Sequence, residues 1–315
     1  MTARLRQSPT LAILAGLWVL LVAGIALLSP GILTASTLTT ILQFSSILAL
    51  VSLGQALVIL AGGAGIDLSV GGIVSLASVL AMMAVSAGLP ATLLPLACLG
   101  IGLALGLGNG LLVTRLRILP LIATLATFYV FSGSAVALTG GAAQSGVPAA
   151  FTPWGRGALA GIPLPFLTLA LPLFLVAGVV ISATSWGRWL VAMGDNERSA
   201  RLVGIPVDRA RLIVYGLSGL ASGAAAFVSL AWLGSARPNI GQNLELTSLT
   251  AVLLGGVSIF GGRGGVAGVL AAVLLLVTLQ TALLRLNINT VWQVGIVGAL
   301  LVAVLVADAL TTRRR

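Results

Sequence analysis

Apolar stretches of about 20 residues, the length of one membrane-crossing helix, follow one another along almost the whole chain. They run roughly over 10–29, 38–62, 70–88, 91–114, 119–140, 163–184, 211–234, 246–262, 266–284 and 289–309. A soluble domain covers its surface with about 25% charged residues. Here 7% are charged, 59% are hydrophobic and the mean hydropathy is +1.18. The solvent for such a surface is a bilayer. The expected fold is all-α and polytopic, a single transmembrane domain over 1–315 with about ten transmembrane helices. The eighth run is the shortest and carries Thr247, Ser248, Thr250, Gly255 and Gly256. A broken or re-entrant element packed inside protein is the alternative there.

The net charge of +10 rests on arginine alone, with no lysine and no histidine. Arginines scattered between apolar runs point to the positive-inside bias rather than to nucleic acid. Ten crossings starting from a cytoplasmic N-terminus leave both termini cytoplasmic. Arg4, Arg6, Arg115, Arg117, Arg188, Arg198, Arg201, Arg209, Arg211, Arg263, Arg313, Arg314 and Arg315 then fall inside. Arg156, Arg237 and Arg285 fall outside, thirteen against three. The first apolar run reaches Leu28, too long for a typical signal-peptide core, and is expected to stay as a span. Trp154, in the longest outer loop, is expected as an interfacial anchor.

The longest polar interval lies at 185–212 and holds five of the arginines with Asp195, Glu197 and Asp208. It is expected to be a cytoplasmic docking loop, about 185–211, for a soluble partner. A short helix is expected between an N-cap at Asp195-Asn196 and Gly204, with Pro206 preventing its continuation. Ala200 and Gly204, four apart, offer a small face to a partner's groove. The alternative is an amphipathic loop lying on anionic lipid.

No catalytic constellation is visible. Histidine is absent and Cys98 is single, so no Cys/His metal site or disulfide forms within one chain. Of the six carboxylates only Asp67 lies near a membrane-buried element. It suits a cap at the start of the third span, or else a direct solute contact. The run GGRGGVAG at 261–268 lacks the Gly-Lys-Ser/Thr ending of a phosphate loop. Gly102, Gly106 and Gly110, Gly219 and Gly223, and Gly264 and Gly268 recur at four-residue spacing, a device for close helix packing. Neutral polar residues within the spans include Gln55, Asn109, Thr124, Thr247, Ser248 and Thr250. They suit either a path for an uncharged polyhydroxyl solute or hydrogen bonds between helices. Phe128, Tyr129 and Phe131 suit packing, or stacking on a sugar face.

Four stretches carry a family resemblance: Gly65-Ile66-Asp67-Leu68-Ser69-Val70-Gly71, Ala192-Met193-Gly194-Asp195-Asn196-Glu197, Tyr215-Gly216-Leu217-Ser218-Gly219, and Leu249-Thr250-Ala251-Val252-Leu253-Leu254-Gly255-Gly256. In this order they resemble the membrane permeases of bacterial ABC importers of the ribose and monosaccharide class. The resemblance implies a multi-pass inner-membrane permease subunit with no catalytic residue, metal or cofactor of its own. ATP and magnesium would be held by a separate ATPase. It further implies a second permease copy or sister permease and an extracytoplasmic sugar-binding protein. Glu197, Arg198, Ala200, Arg201 and Gly204 match the region of the family's coupling helix, where the ATPase docks. Asp67, Ser69, Gly71, Gly255 and Gly256 are motif positions. The same superfamily takes in permeases for branched-chain amino acids and nucleosides, and a gradient-driven secondary transporter is the rival of another class.

Overall fold

The structure, a computed structural model, describes residues 8–28 and 34–313. Arg4, Arg6, Arg314 and Arg315, counted above as inner charges, lie outside the described residues. A helix falls on every one of the apolar intervals. In order these are α1 (Ser8–Leu28), α2 (Ala35–Leu60), α3 (Val70–Ser86), α4 (Leu94–Thr114) and α5 (Pro120–Thr139). Strand β1 (Gln144–Ser145), the short α6 (Thr152–Arg156), strands β2 (Ala158–Leu159) and β3 (Ile162–Pro163) and α7 (Leu171–Ala183) follow. Next come α8 (Ser185–Asp195), α9 (Glu197–Leu202), α10 (Val207–Leu233), β4 (Ser235–Ala236), α11 (Leu244–Leu254), α12 (Val266–Arg285) and α13 (Thr290–Arg313). The strands form two small antiparallel pairs, β1 with β4 and β2 with β3.

Six helical stretches among the described residues are long and apolar enough to cross a bilayer. The apolar parts of α1, α3, α11 and α13 are shorter, 10–17 residues. The helix lengths support a polytopic helical membrane protein, and not ten equal spans. With 11 residues, α11 rises about 16 Å, roughly half of a hydrocarbon core of about 30 Å. The eighth interval is thus a half-length helix, closed by Gly256 at φ +85° and followed by irregular backbone to Gly265.

Packing is set by where small residues lie. Gly102 and Gly106 of α4 face Gly219 and Gly223 of α10 backbone to backbone. A methyl group on Gly106 would sit 2.8 Å from the Gly219 Cα, inside any normal carbon contact, so only glycine admits this crossing. Cys98 is buried at the same crossing, its carbonyl against Gly223. Gly268 of α12 meets Gly255 in the same manner. Gly264 lies ahead of α12 at φ +132°, so it does not share a helical face with Gly268 as the spacing suggested.

Helices α2 and α3 are almost wholly buried, and with α10 they form the centre. Helices α5 and α7 turn Leu121, Ile122, Val130, Leu175 and Val179 outward, as lipid contact requires. At one end of the bundle, Arg156 donates to the carbonyls of Trp232 (2.7 Å) and Leu233 (3.4 Å), satisfying the last turn of α10. Trp154 is folded against that end: it stacks on Phe227 at 5.1 Å and donates to Thr168 (3.0 Å). The start of α10 lies at the opposite end, with Arg115, Arg117, Arg201, Arg209 and Arg211 around two adjoining concavities of about 530 and 650 Å³.

Candidate docking segment and polar interior

The polar interval folds into α8, α9 and the first turns of α10. Thr184 caps α8 by accepting from Gly187 N (3.2 Å). Asn196, at φ −155°, caps α9 by accepting from Ser199 N (3.0 Å). Gly204 closes α9 at φ +83°, with paired bonds from Gly204 N to Arg201 O and from Ile205 N to Ala200 O, both 3.1 Å. Those bonds satisfy carbonyls that a helix end leaves open. The helix expected between 195–196 and 204 is therefore present, with Asn196 as its cap.

Two ion pairs fasten α9 to α10, and a third lies within α9. Arg201 reaches Glu197 (2.9 Å, one turn back) and Asp208 (2.6 Å), while Arg211 reaches Glu197 (2.7 Å). The Arg211 hydrogen bond, partly opposed by burial, holds the Glu197 carboxyl below its ordinary range. Arg198 is exposed. Ala200 turns inward. Its side chain, 3% exposed, packs inward with Met193, Val207, Ala210 and Tyr215. The small face expected to enter a partner's groove is at this position used within the chain. The outward tip of α9 is instead Leu202 and Val203, 81% and 76% exposed, beside exposed Gly204. In the sequence this tip reads as two apolar residues directly after Arg201 in an otherwise charged segment.

The motif residue Asp67 is wholly buried between α2 and α3. It accepts from the backbone N of Ser69 (3.0 Å), from the Ser69 hydroxyl, and from the Ser218 hydroxyl of α10 (2.8 Å). Asn109 of α4 donates to Ser69 Oγ (2.6 Å). The carboxylate thus joins the entry of α3 to α10, Ser69 passes the link on to α4, and Ser69 is the residue at the cap position of α3. Gly71 lets the segment before α11 approach: a side chain there would strike the Gly241 carbonyl, and Gly241 N donates to Ser75 (3.0 Å).

The neutral polar candidates are spread over four helices and all are buried. Gln55 on α2 has neither amide atom paired, and the Asn109 side-chain oxygen is also unpaired. Thr124 of α5 donates to the carbonyls of Ile66 (3.1 Å) and Pro120 (2.8 Å). Thr247, Ser248 and Thr250 bond back to carbonyls of their own helix region. Phe131 packs against α3 near Gly72, and Tyr129 is 68% exposed.

Apolar helices around a buried interior of neutral polar groups, with a charged helical pair at one end, define a polytopic helical membrane protein. The chain belongs to the family described as branched-chain amino acid transport system / permease component, whose family model matches residues 37–305. It is 39% identical over 293 residues to the ribose import permease protein RbsC of Bacillus subtilis, covering 92% of this chain and 90% of that one. It is 34% identical to RbsC of Escherichia coli K12, over 91% of this chain and 90% of the relative. It is 35% identical to the autoinducer 2 import system permease protein LsrD of Klebsiella pneumoniae, over 84% and 81%. These relatives bear out the resemblance drawn from the motifs and make the chain a multi-pass inner-membrane protein. No solved structure matches it.

Proposed function

We propose that this chain is the transmembrane subunit of an ATP-driven, binding-protein-dependent importer of a monosaccharide of the ribose, xylose or galactose kind. The observation that carries this reading is the 39% identity to a ribose import permease over nine-tenths of both chains. The arginine-rich end faces the cytoplasm with both termini, and the chain threads the bilayer ten times, the eighth passage being α11 and the backbone that follows. A separate ATPase holding ATP and magnesium docks at α8–α9, through Leu202, Val203 and Gly204 with Glu197, Arg198 and Arg201 alongside. A second permease copy or sister permease completes the passage, and an extracytoplasmic binding protein supplies the sugar. Gln55, Asn109, Thr124, Thr247, Ser248 and Thr250 are buried in this state and line the path when the bundle opens.

The test is uptake into liposomes holding this chain with its ATPase and binding protein. ATP-dependent accumulation of a pentose or hexose is expected. Accumulation by the chain alone under an ion gradient would replace the reading with a secondary transporter. A second solute is favoured by the 35% identity to an autoinducer 2 permease, close to the 34% to one ribose permease. Competition between labelled ribose and autoinducer 2 in the same liposomes separates the two.

A further inference from the structure

The glycine-rich stretches at 62–65 and 261–265 meet at one point. Gly262 N donates to the carbonyl of Leu60 at the end of α2 (3.0 Å). Gly194, in the last turn of α8, lies against both; a methyl group on it would overlap the Gly262 backbone and the Leu60 carbonyl. A methyl on Gly62 would lie 2.5 Å from the Gly194 Cα, one on Gly261 2.5 Å from the Gly62 Cα, and one on Gly262 2.6 Å from the Asp195 N. The ends of α2 and α8 and the loop between α11 and α12 therefore touch without side chains between them. Gly63 extends the contact, because the Arg211 guanidinium, held by Glu197, fills the space a side chain there would need. Side chains yield by changing rotamer, and directly packed backbones do not, so a close-packed junction transmits displacement. Helix α2 is among the most deeply buried in the protein, and the loop joins half-helix α11 to α12.

We propose that Gly62, Gly194, Gly261 and Gly262 form the joint through which movement of α8–α9 enters the bundle, positioning α2, α11 and α12 to move with it as one body. The inference rests on the reading of α8–α9 as the ATPase docking segment and specifies where that motion is received.

Gly194→Ala tests it, since Gly194 has helical backbone and the variant adds only a methyl group. In the reconstituted complex, ATPase co-purification should stay within about twofold of wild type, while ATP-dependent uptake falls roughly tenfold or more, the range of coupling between linked sites. Wild-type uptake with the ATPase bound overturns the joint. Loss of ATPase binding by the variant also overturns it, because Gly194 would then belong to docking. A wild-type chain that binds no ATPase defeats the docking reading itself, and with it the joint. Should Gly194→Ala fail to insert, a tether decides. Asp195→Cys and Arg263→Cys, both at exposed positions, are linked by a short bis-maleimide, each thiol adding across one maleimide double bond, in a Cys98→Ala background. Unchanged uptake after linking supports movement as one body; arrested uptake shows that the segments separate and overturns it.

Discussion

The guanidinium of Arg211 lies 2.7 Å from the carboxylate of Glu197 and occupies the space that a side chain at Gly63 would need. One ion pair thereby ties the first turn of α9 to the second turn of α10 and to the end of α2. The Arg211 side chain is 11% exposed and that of Glu197 33%, so the pair is shielded on one side only.

Glu197→Gln leaves Arg211 poorly solvated without its counter-charge. A fully buried pair would lose about 3–5 kcal/mol; partial exposure reduces the expected loss to roughly 1–2 kcal/mol. Thermal unfolding in detergent should move down by a few degrees. The pH dependence follows from the depressed Glu197 pKa. Its stabilising contribution is present above the ordinary value of 4.5 and is lost as pH falls through the lower folded value. Unfolding midpoints of wild type and variant should differ at pH 7, begin to converge near pH 4.5 and meet only below the lowered folded value.

Leu202→Asp and Val203→Asp alter side chains that touch almost nothing in this chain. Stability should stay within about 0.5 kcal/mol. ATPase affinity should fall by about 2–4 kcal/mol if these side chains are interface anchors. Titration of the ATPase onto the detergent-solubilised variant measures it, and unchanged affinity would remove them from the docking surface.

Ala200→Leu should behave oppositely. Added methylenes in the pocket formed with Met193 and Tyr215 overpack a filled core, at about 1–3 kcal/mol. Gly204→Ala places a Cβ at φ +83° and costs about 1–2 kcal/mol. It adds little bulk to the docking tip, so ATPase binding should persist. Thermal midpoints and co-purification together separate the cap from the contact surface.

Asp67→Ala strands the Ser69 and Ser218 donors in a dry interior, an expected loss of about 1–3 kcal/mol. Asp67→Asn keeps one acceptor and should recover part of it. The apparent KM for solute in the surviving protein should not move. A severalfold rise in KM with unchanged stability would make Asp67 a solute contact instead.

Much of this was legible in the residue order. Each long apolar run became helix, because a bilayer leaves the backbone no other partners than its own. Asn196 and Gly204 announced the ends of α9, since capping chemistry is local. The four-residue glycine spacing in α4 and α10 announced a close crossing, and those faces pack on each other. The length of α11, the inward turn of Ala200 and the bare Leu202-Val203 tip were not legible, because each depends on what lies opposite in space.

By itself the amino-acid order determined a lipid-embedded helical chain with one long charged interval at 185–212, because hydropathy and charge act over short windows. Only the tertiary structure decided that Leu60–Gly63, Gly194 and Gly261–Gly262 share one point, and that Asp67 bonds the entry of α3 to α10 while Ser69 passes the link on to α4. Such meetings require backbones remote in the chain to arrive within contact distance, and no local pattern records which partner a missing side chain makes room for.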